Sequence, residues 1–255
     1  MPKLTLKAAV AATALMAASS ASAQDTFDFD QMTPDQQAAF GDAVRSYLLE
    51  NPQTIMEAVA RLEEMEAQQQ VAVDQSLVDT HREALLDDGY SWVGGNPDGD
   101  FTIVEFMDYR CGYCRKASPE VAELVEQDGN IRLIVKEFPI LGDASMVSSR
   151  FAIATKIVAG DEAYGQVHDA LIALEGAPSE PVLKRLAGTL GLDGDAILAE
   201  MDSDEISGRI AETRALAQAM QISGTPSFVF GDEMVRGYAP LAAMQQIVAQ
   251  GRATQ

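Results

Sequence analysis

The sequence predicts an α/β domain carrying a long helical insertion and preceded by a helical arm. Three observations carry this expectation. Residues 101–135 read as strand, helix, strand, which implies a parallel pair with a right-handed crossover. Residues 227–236 read as a hairpin followed by a last helix from Pro240 to about Gln250. Between these, from about residue 142 to 220, the apolar periodicity is helical almost throughout.

The first residues are set apart from this plan. Met1-Pro2-Lys3 and Lys7 precede an alanine-rich apolar stretch from Ala8 to Ala18, and Ala21-Ser22-Ala23 follows just before the acidic Gln24-Asp25. That is the order of a secretory signal peptide, and the apolar run falls short of the roughly 20 residues that span a bilayer. Residues 1–23 are therefore expected to be a cleaved signal peptide that sends the protein to the periplasm. Cleavage would shorten the chain from 255 to 232 residues and remove two lysines and no acid, taking the net charge from −21 to −23. So acidic a surface repels phosphate backbones and anionic headgroups, which speaks against nucleic acid as a partner and otherwise serves solubility.

Residues 24–88 form the expected arm, with the α/β domain over 89–255. Thr33-Pro34-Asp35-Gln36 has a capping threonine, a proline in the first turn and a glutamine that completes a capping box. Phe40, Val44, Tyr47 and Leu48 then mark one face. Asn51-Pro52 stops that helix and starts another, with Ile55, Val59 and Leu62 on one side and a possible continuation to Leu86. The arm is expected to be either a solvated connector or an oligomerisation region spanning residues 24–85. Gly94 to Asp100 is dense in turn formers and closes the helical region, with Tyr90 and Trp92 expected to pack against a sheet edge. Phe101 to Phe106 and Ile131 to Val135 are short apolar runs suited to buried strands. Gly160, Gly176-Ala177-Pro178 and Gly191 punctuate the insertion, whose His168 reads as a structural residue.

The chemistry is expected at Cys111 and Cys114. The chain has two cysteines, three positions apart at the junction of the first strand with its helix. A bridge closing so small a ring contributes little to stability, so it reads as chemistry. Cys111 at the helix N-terminus gains from unpaired N–H groups and the helix dipole, which favour a thiolate. Cys114, one turn inside, is expected to be the more buried. Cys111 then attacks a disulfide and Cys114 resolves the mixed disulfide. Structural zinc needs four ligands, and the two histidines, His81 and His168, fall in separate helical segments. Copper(I) on two thiolates stays open as a binding-protein alternative, as does a chaperone using the acidic helices.

The run EFMDYRCGYC, followed more than a hundred residues later by Gly224-Thr225-Pro226-Ser227-Phe228, resembles the DsbA family of bacterial periplasmic disulfide oxidoreductases over roughly residues 90–250. The resemblance implies a thioredoxin-like fold split by a helical insertion, with no cofactor beyond the redox-active Cys111–Cys114 disulfide. It implies a cis proline at Pro226 lying against the cysteines. Gly112, Tyr113, Thr225 and Pro226 would then meet the substrate. It also implies a buried acid at Glu105, six residues before Cys111, with Lys136 as its partner. A carboxylate inside a β-run is costly unless paired or protonated, which makes Glu105 a candidate proton acceptor for Cys114.

Oxidase-type members carry proline-histidine between the cysteines, whereas Gly112-Tyr113 and the threonine before Pro226 are similar to the DsbC-type isomerases. Such differences are large in scale, since thioredoxin and DsbA lie ~150 mV apart, or ~7 kcal/mol. The helices of the arm resemble those of ScsC-like members. The resemblance thus implies a disulfide isomerase or reductase acting on unfolded or misoxidised exported proteins and kept reduced by a membrane partner of DsbD or ScsB type. The alternative is a DsbA-like oxidase recharged by a DsbB-type partner.

Overall fold

The computed structural model describes residues 29–254, so the signal-peptide expectation for residues 1–23 lies outside the described residues. The chain divides into two compact units, one up to Arg61 and one from Leu62 onward.

In the first unit a short 3-10 turn, Phe29–Gln31, leads into α1 (Pro34–Glu50). Thr33 caps α1 through a complete capping box: the Gln36 amide donates to Thr33 Oγ1, and the Thr33 amide donates to Gln36 Oε1 at 2.9 Å. α2 (Gln53–Thr80) begins here and is 28 residues long, about 42 Å at 1.5 Å per residue. Phe40, Val44, Tyr47, Ile55 and Val59 are all exposed.

The second unit holds a five-stranded sheet in the order β1-β3-β2-β4-β5, from β1 (Trp92–Gly95), β2 (Phe101–Met107), β3 (Ile131–Glu137), β4 (Ser227–Phe230) and β5 (Glu233–Arg236). Only β2 and β3 run parallel. α4 (Gly112–Asp128) links them. The insertion follows as α5 (Asp143–Ala173), α6 (Glu180–Thr189), α7 (Gly194–Glu200) and α8 (Asp204–Ala219), and α9 (Leu241–Thr254) closes the chain. Gly160 at φ +86° breaks α5 in two, a conformation that glycine adopts without a Cβ penalty. This is the expected thioredoxin-like α/β plan with a helical insertion.

Side chains alternate across each strand, so the sheet has two faces. Phe101, Ile103, Met107, Leu133, Val135, Phe228 and Phe230 pack with both cysteines, α4 and much of the insertion. Val104, Phe106, Ile134 and Val229 pack on the other face with Met220, Ile222, Val78 and Leu85.

That second core corrects the expected boundary at residue 88. The end of α2 and α3 (Arg82–Leu86) belong to the catalytic unit, because Val78 and Leu85 are buried in it. Asp74 also accepts two hydrogen bonds from Arg236, at 2.5 and 2.8 Å. A second correction concerns β1, expected as part of a turn-rich closure. Trp92 opens a real edge strand and stacks on Tyr164 with ring centroids 5.3 Å apart. Gly94 is needed beneath it, since a Cβ there would come within 2.2 Å of the indole.

Leu85→Ala should therefore cost about 2–5 kcal/mol of stability, while Val71→Ala, at an exposed position of the same helical region, should stay within about 0.5 kcal/mol. Equal urea midpoints for the two variants would remove α3 from the catalytic core.

Candidate active site

The end of β2 and the start of α4 place the dithiol. Cys111 is the N-cap of α4, with extended φ/ψ, and Cys114 lies on the inner side of the first turn. Cys111 retains 7% exposure and Cys114 none. Both are free thiols in this structure. Burial, as the largest influence, pushes the Cys114 thiol well above its usual range, and the nearby Glu105 charge adds to this. The Cys111 thiol donates to the carbonyl of Thr225 at 3.1 Å, and the Thr225–Pro226 peptide bond is cis. Gly112, Tyr113 and Thr225 therefore surround Cys111, and Tyr113 is 64% exposed.

Two buried carboxylates hold the turn that carries Cys111. Asp108 Oδ1 accepts from the amide of Arg110 at 2.8 Å. Its Oδ2 accepts from the amides of Ile140 at 2.8 Å and Leu141 at 3.0 Å. Glu137 accepts from Tyr109 (2.8 Å) and Tyr164 (2.5 Å) through Oε1 and from Ser149 (2.6 Å) through Oε2. With its hydroxyl proton committed to Glu137, Tyr109 accepts from His168 Nδ1 at 3.1 Å. Burial lowers the His168 pKa to about 4, so the imidazole is neutral at neutral pH.

Glu105 points to the dithiol's face of the sheet. No protein group hydrogen-bonds its carboxyl among the described residues. A cavity of ≈ 260 Å³, bounded by Ser118 and Glu126 of α4 and by His168 and Asp169 of α5, extends to it. Burial first, then the charge of Glu137, push Glu105 up to about 8. Burial likewise raises Glu137 to about 7, against the three hydroxyls that favour its charged form.

The expected Glu105–Lys136 pair does not form. In the parallel register Glu105 lies opposite Val135 and Lys136 opposite Phe106, so alternation sends the two side chains to opposite faces. Lys136 is fully buried on the far face, where its Nζ donates to Asp88 at 2.5 Å and to the Ala84 carbonyl at 2.8 Å. It ties the end of the arm to the sheet and stands apart from the dithiol.

Known proteins agree with this geometry. Residues 102–249 match the DSBA-like thioredoxin domain, and residues 36–69 match the N-terminal domain of the copper resistance protein ScsC. The chain belongs to the DSBA-like thioredoxin family. A thioredoxin-like oxidoreductase from Silicibacter pomeroyi is 40% identical, with 68% of this chain and 98% of that one covered and a TM-score of 0.63. BcfH of Salmonella enterica Typhimurium is 27% identical, with 86% and 96% covered and a TM-score of 0.71. An Na(+)/H(+) antiporter, NhaA 3 of Salinispora tropica, is 30% identical over 156 residues, 61% of this chain. The match covers about a quarter (24%) of that curated relative.

The DSBA-like domain of this chain is thus a thiol-disulfide oxidoreductase domain. Asp108, Glu137 and Tyr109 were not singled out by the sequence. The one local signal was an aspartate directly after an apolar run, in Phe106-Met107-Asp108, where a buried polar group needs partners.

Glu105 yields a test whose sign follows from its shift. Its folded pKa lies above the unfolded 4.5, so the folded state holds a proton between about 4.5 and 8 that the unfolded chain has lost. Stability therefore falls as pH rises through that window. Glu105→Gln should be more stable than the parent, by a margin that grows from pH 4.5 to pH 8 and reaches on the order of a few kcal/mol. A pH-independent margin in urea unfolding would show that Glu105 does not titrate there.

Proposed function

We propose that the protein is a periplasmic disulfide isomerase or reductase that acts on exported proteins through the Cys111-Gly112-Tyr113-Cys114 dithiol. The observation that carries this reading is the dithiol itself: a Cys111 that keeps a little exposure at a helix N-terminus against the Thr225 carbonyl, with Cys114 wholly buried behind it. Cys111 attacks a client disulfide and becomes joined to one client sulfur, releasing the other as a thiolate. Cys114 gives its proton to Glu105, attacks Cys111, and frees the second client thiolate. With its pKa pushed up to about 8, Glu105 is ionised in a minority of molecules at neutral pH, and it is this ionised form, a stronger base than an ordinary carboxylate, that accepts the Cys114 proton. The cavity beside Glu105 supplies a route for that proton to solvent.

The dipeptide favours isomerase or reductase over oxidase. Gly112 and Tyr113 supply no imidazole to stabilise a Cys111 thiolate, so the reduced form is less favoured than in proline-histidine oxidases. A membrane reductase of DsbD or ScsB type then keeps the dithiol reduced. Thiol trapping in growing cells should find Cys111 and Cys114 mostly reduced. A mostly oxidised pair would assign the protein to the oxidases and to a DsbB-type partner.

The arm supports the same reading. Phe40, Val44, Tyr47, Ile55 and Val59 expose apolar area on α1 and the start of α2, and association buries such faces. Burying a large apolar side chain is worth roughly 1.5–3 kcal/mol, enough over several positions to sustain an oligomer that displays several dithiols around one client. Light scattering should show an oligomer, and Val44→Glu with Val59→Glu should yield a monomer that reduces small disulfides but refolds scrambled protein poorly. A monomeric parent would end this part of the proposal.

A further inference from the structure

Arg110 and Arg115 flank the dithiol in sequence, and their guanidinium groups meet at one place in the fold. Arg110 Nη1 donates to the carbonyls of Leu174 at 3.2 Å and Gly176 at 3.0 Å. Arg115 donates through Nε to the Tyr109 carbonyl at 2.9 Å and through Nη2 to the Leu174 carbonyl at 2.6 Å. Leu174, the C-cap of α5, thus accepts from both arginines. The two charges act on each other: burial first, then the charge of Arg110, lower the Arg115 pKa, against the opposing charge of Glu175.

Neither guanidinium has a carboxylate within ion-pair distance among the described residues, although the chain has 39 acids to 18 bases. Arg82, Arg209, Arg236 and Arg252 all have one, while Arg132, Arg150 and Arg214 also donate to backbone carbonyls but do so singly, without a second guanidinium on the same carbonyl. Glu175 is exposed and makes no hydrogen bond to either arginine. Capping the last carbonyls of α5 explains the hydrogen bonds. It does not explain two neighbouring like charges, whose repulsion a clip has no need of. Arginine has five N–H donors in a rigid fork, and Arg110 Nε and Nη2 and Arg115 Nη1 stay uncommitted. Side chains already pinned on the backbone lose little freedom on receiving a ligand. Lys116, next in the chain, takes no part in the pair: its Nζ lies 4.0 Å from the Tyr238 ring centroid.

We propose that Arg110 and Arg115 form an anion subsite that receives a carboxylate lying within a residue or two of the reacting disulfide in the substrate. The subsite rests on the dithiol reading above and narrows its substrates to disulfides with acidic neighbours.

Single-turnover oxidation of the reduced full-length protein tests this. Each substrate disulfide is cleaved to two thiols while Cys111 and Cys114 form one disulfide, so electrons and protons balance. The probes are two disulfide-linked peptides identical except for Glu or Gln beside the cysteine, glutathione disulfide, and neutral bis(2-hydroxyethyl) disulfide. The parent should prefer the Glu peptide about fivefold at low salt, and the preference should vanish near about 1 M salt, where the screening length is about 3 Å. Arg110→Gln with Arg115→Gln should bring the Glu-to-Gln ratio close to one, and Arg115→Lys should restore part of it. A preference seen with glutathione disulfide but not between the peptides would assign the subsite to a small acidic thiol. Equal, salt-independent rates for charged and neutral disulfides in the parent would overturn the subsite and leave the dithiol reading standing. Failure of every disulfide, the neutral one included, would overturn both.

Discussion

The parallel register between β2 and β3 decides which charges share the dithiol's side of the sheet, and most of the site follows from it. With Glu105 opposite Val135 and Met107 opposite Glu137, two carboxylates come to lie on the face that carries Cys111 and Cys114. A slip of β3 by one residue would put Lys136 in the place of Glu137 on that face. The same register sends Lys136 to the far face, where Asp88 and the Ala84 carbonyl hold it. One face of the sheet thereby holds acids without a cation, and the other holds a cation pairing the arm's end.

Two acids buried together cannot both ionise without cost. Glu137 is surrounded by three hydroxyl donors that favour its charged form, whereas Glu105 borders a cavity and, among the described residues, receives no hydrogen bond. The two environments separate the roles. Glu137 fixes Tyr109, and through it the turn that presents Cys111; Glu105 lies on the dithiol's face of the sheet, where its charge acts on Cys114, and the proposed function makes it the proton acceptor. Such an arrangement costs stability, and sites where burial raises carboxylate pKa values are where chemistry is commonly found.

What the sequence showed and what it hid divide along the range of the contacts involved. The capping box at Thr33 and Gln36, the βαβ unit, the break at Gly160 and the hairpin rest on neighbours a few residues apart, and all are present. β1 was hidden because Gly94 and Gly95 read as turn formers, while in the fold Gly94 makes room for the Trp92 ring. The placement of Lys136 beside Glu105 failed because two adjacent apolar strands do not disclose their relative phase. Arg110 and Arg115 meet at Leu174, about sixty residues away in the chain, and Glu137 meets Tyr109 from the next strand. No local pattern announces contacts of that range.

The central claim is the division of labour between Cys111, which keeps a little exposure at the helix N-terminus, and the wholly buried Cys114. Mass spectrometry of Cys114→Ala and Cys111→Ala, each mixed reduced with a peptide disulfide, tests it most directly. Cys114→Ala should accumulate a one-to-one mixed disulfide on Cys111, because nothing remains to resolve it, and Cys111→Ala should form no adduct on the native timescale. An adduct on Cys114 in the folded Cys111→Ala protein, or none in either variant, would contradict the account.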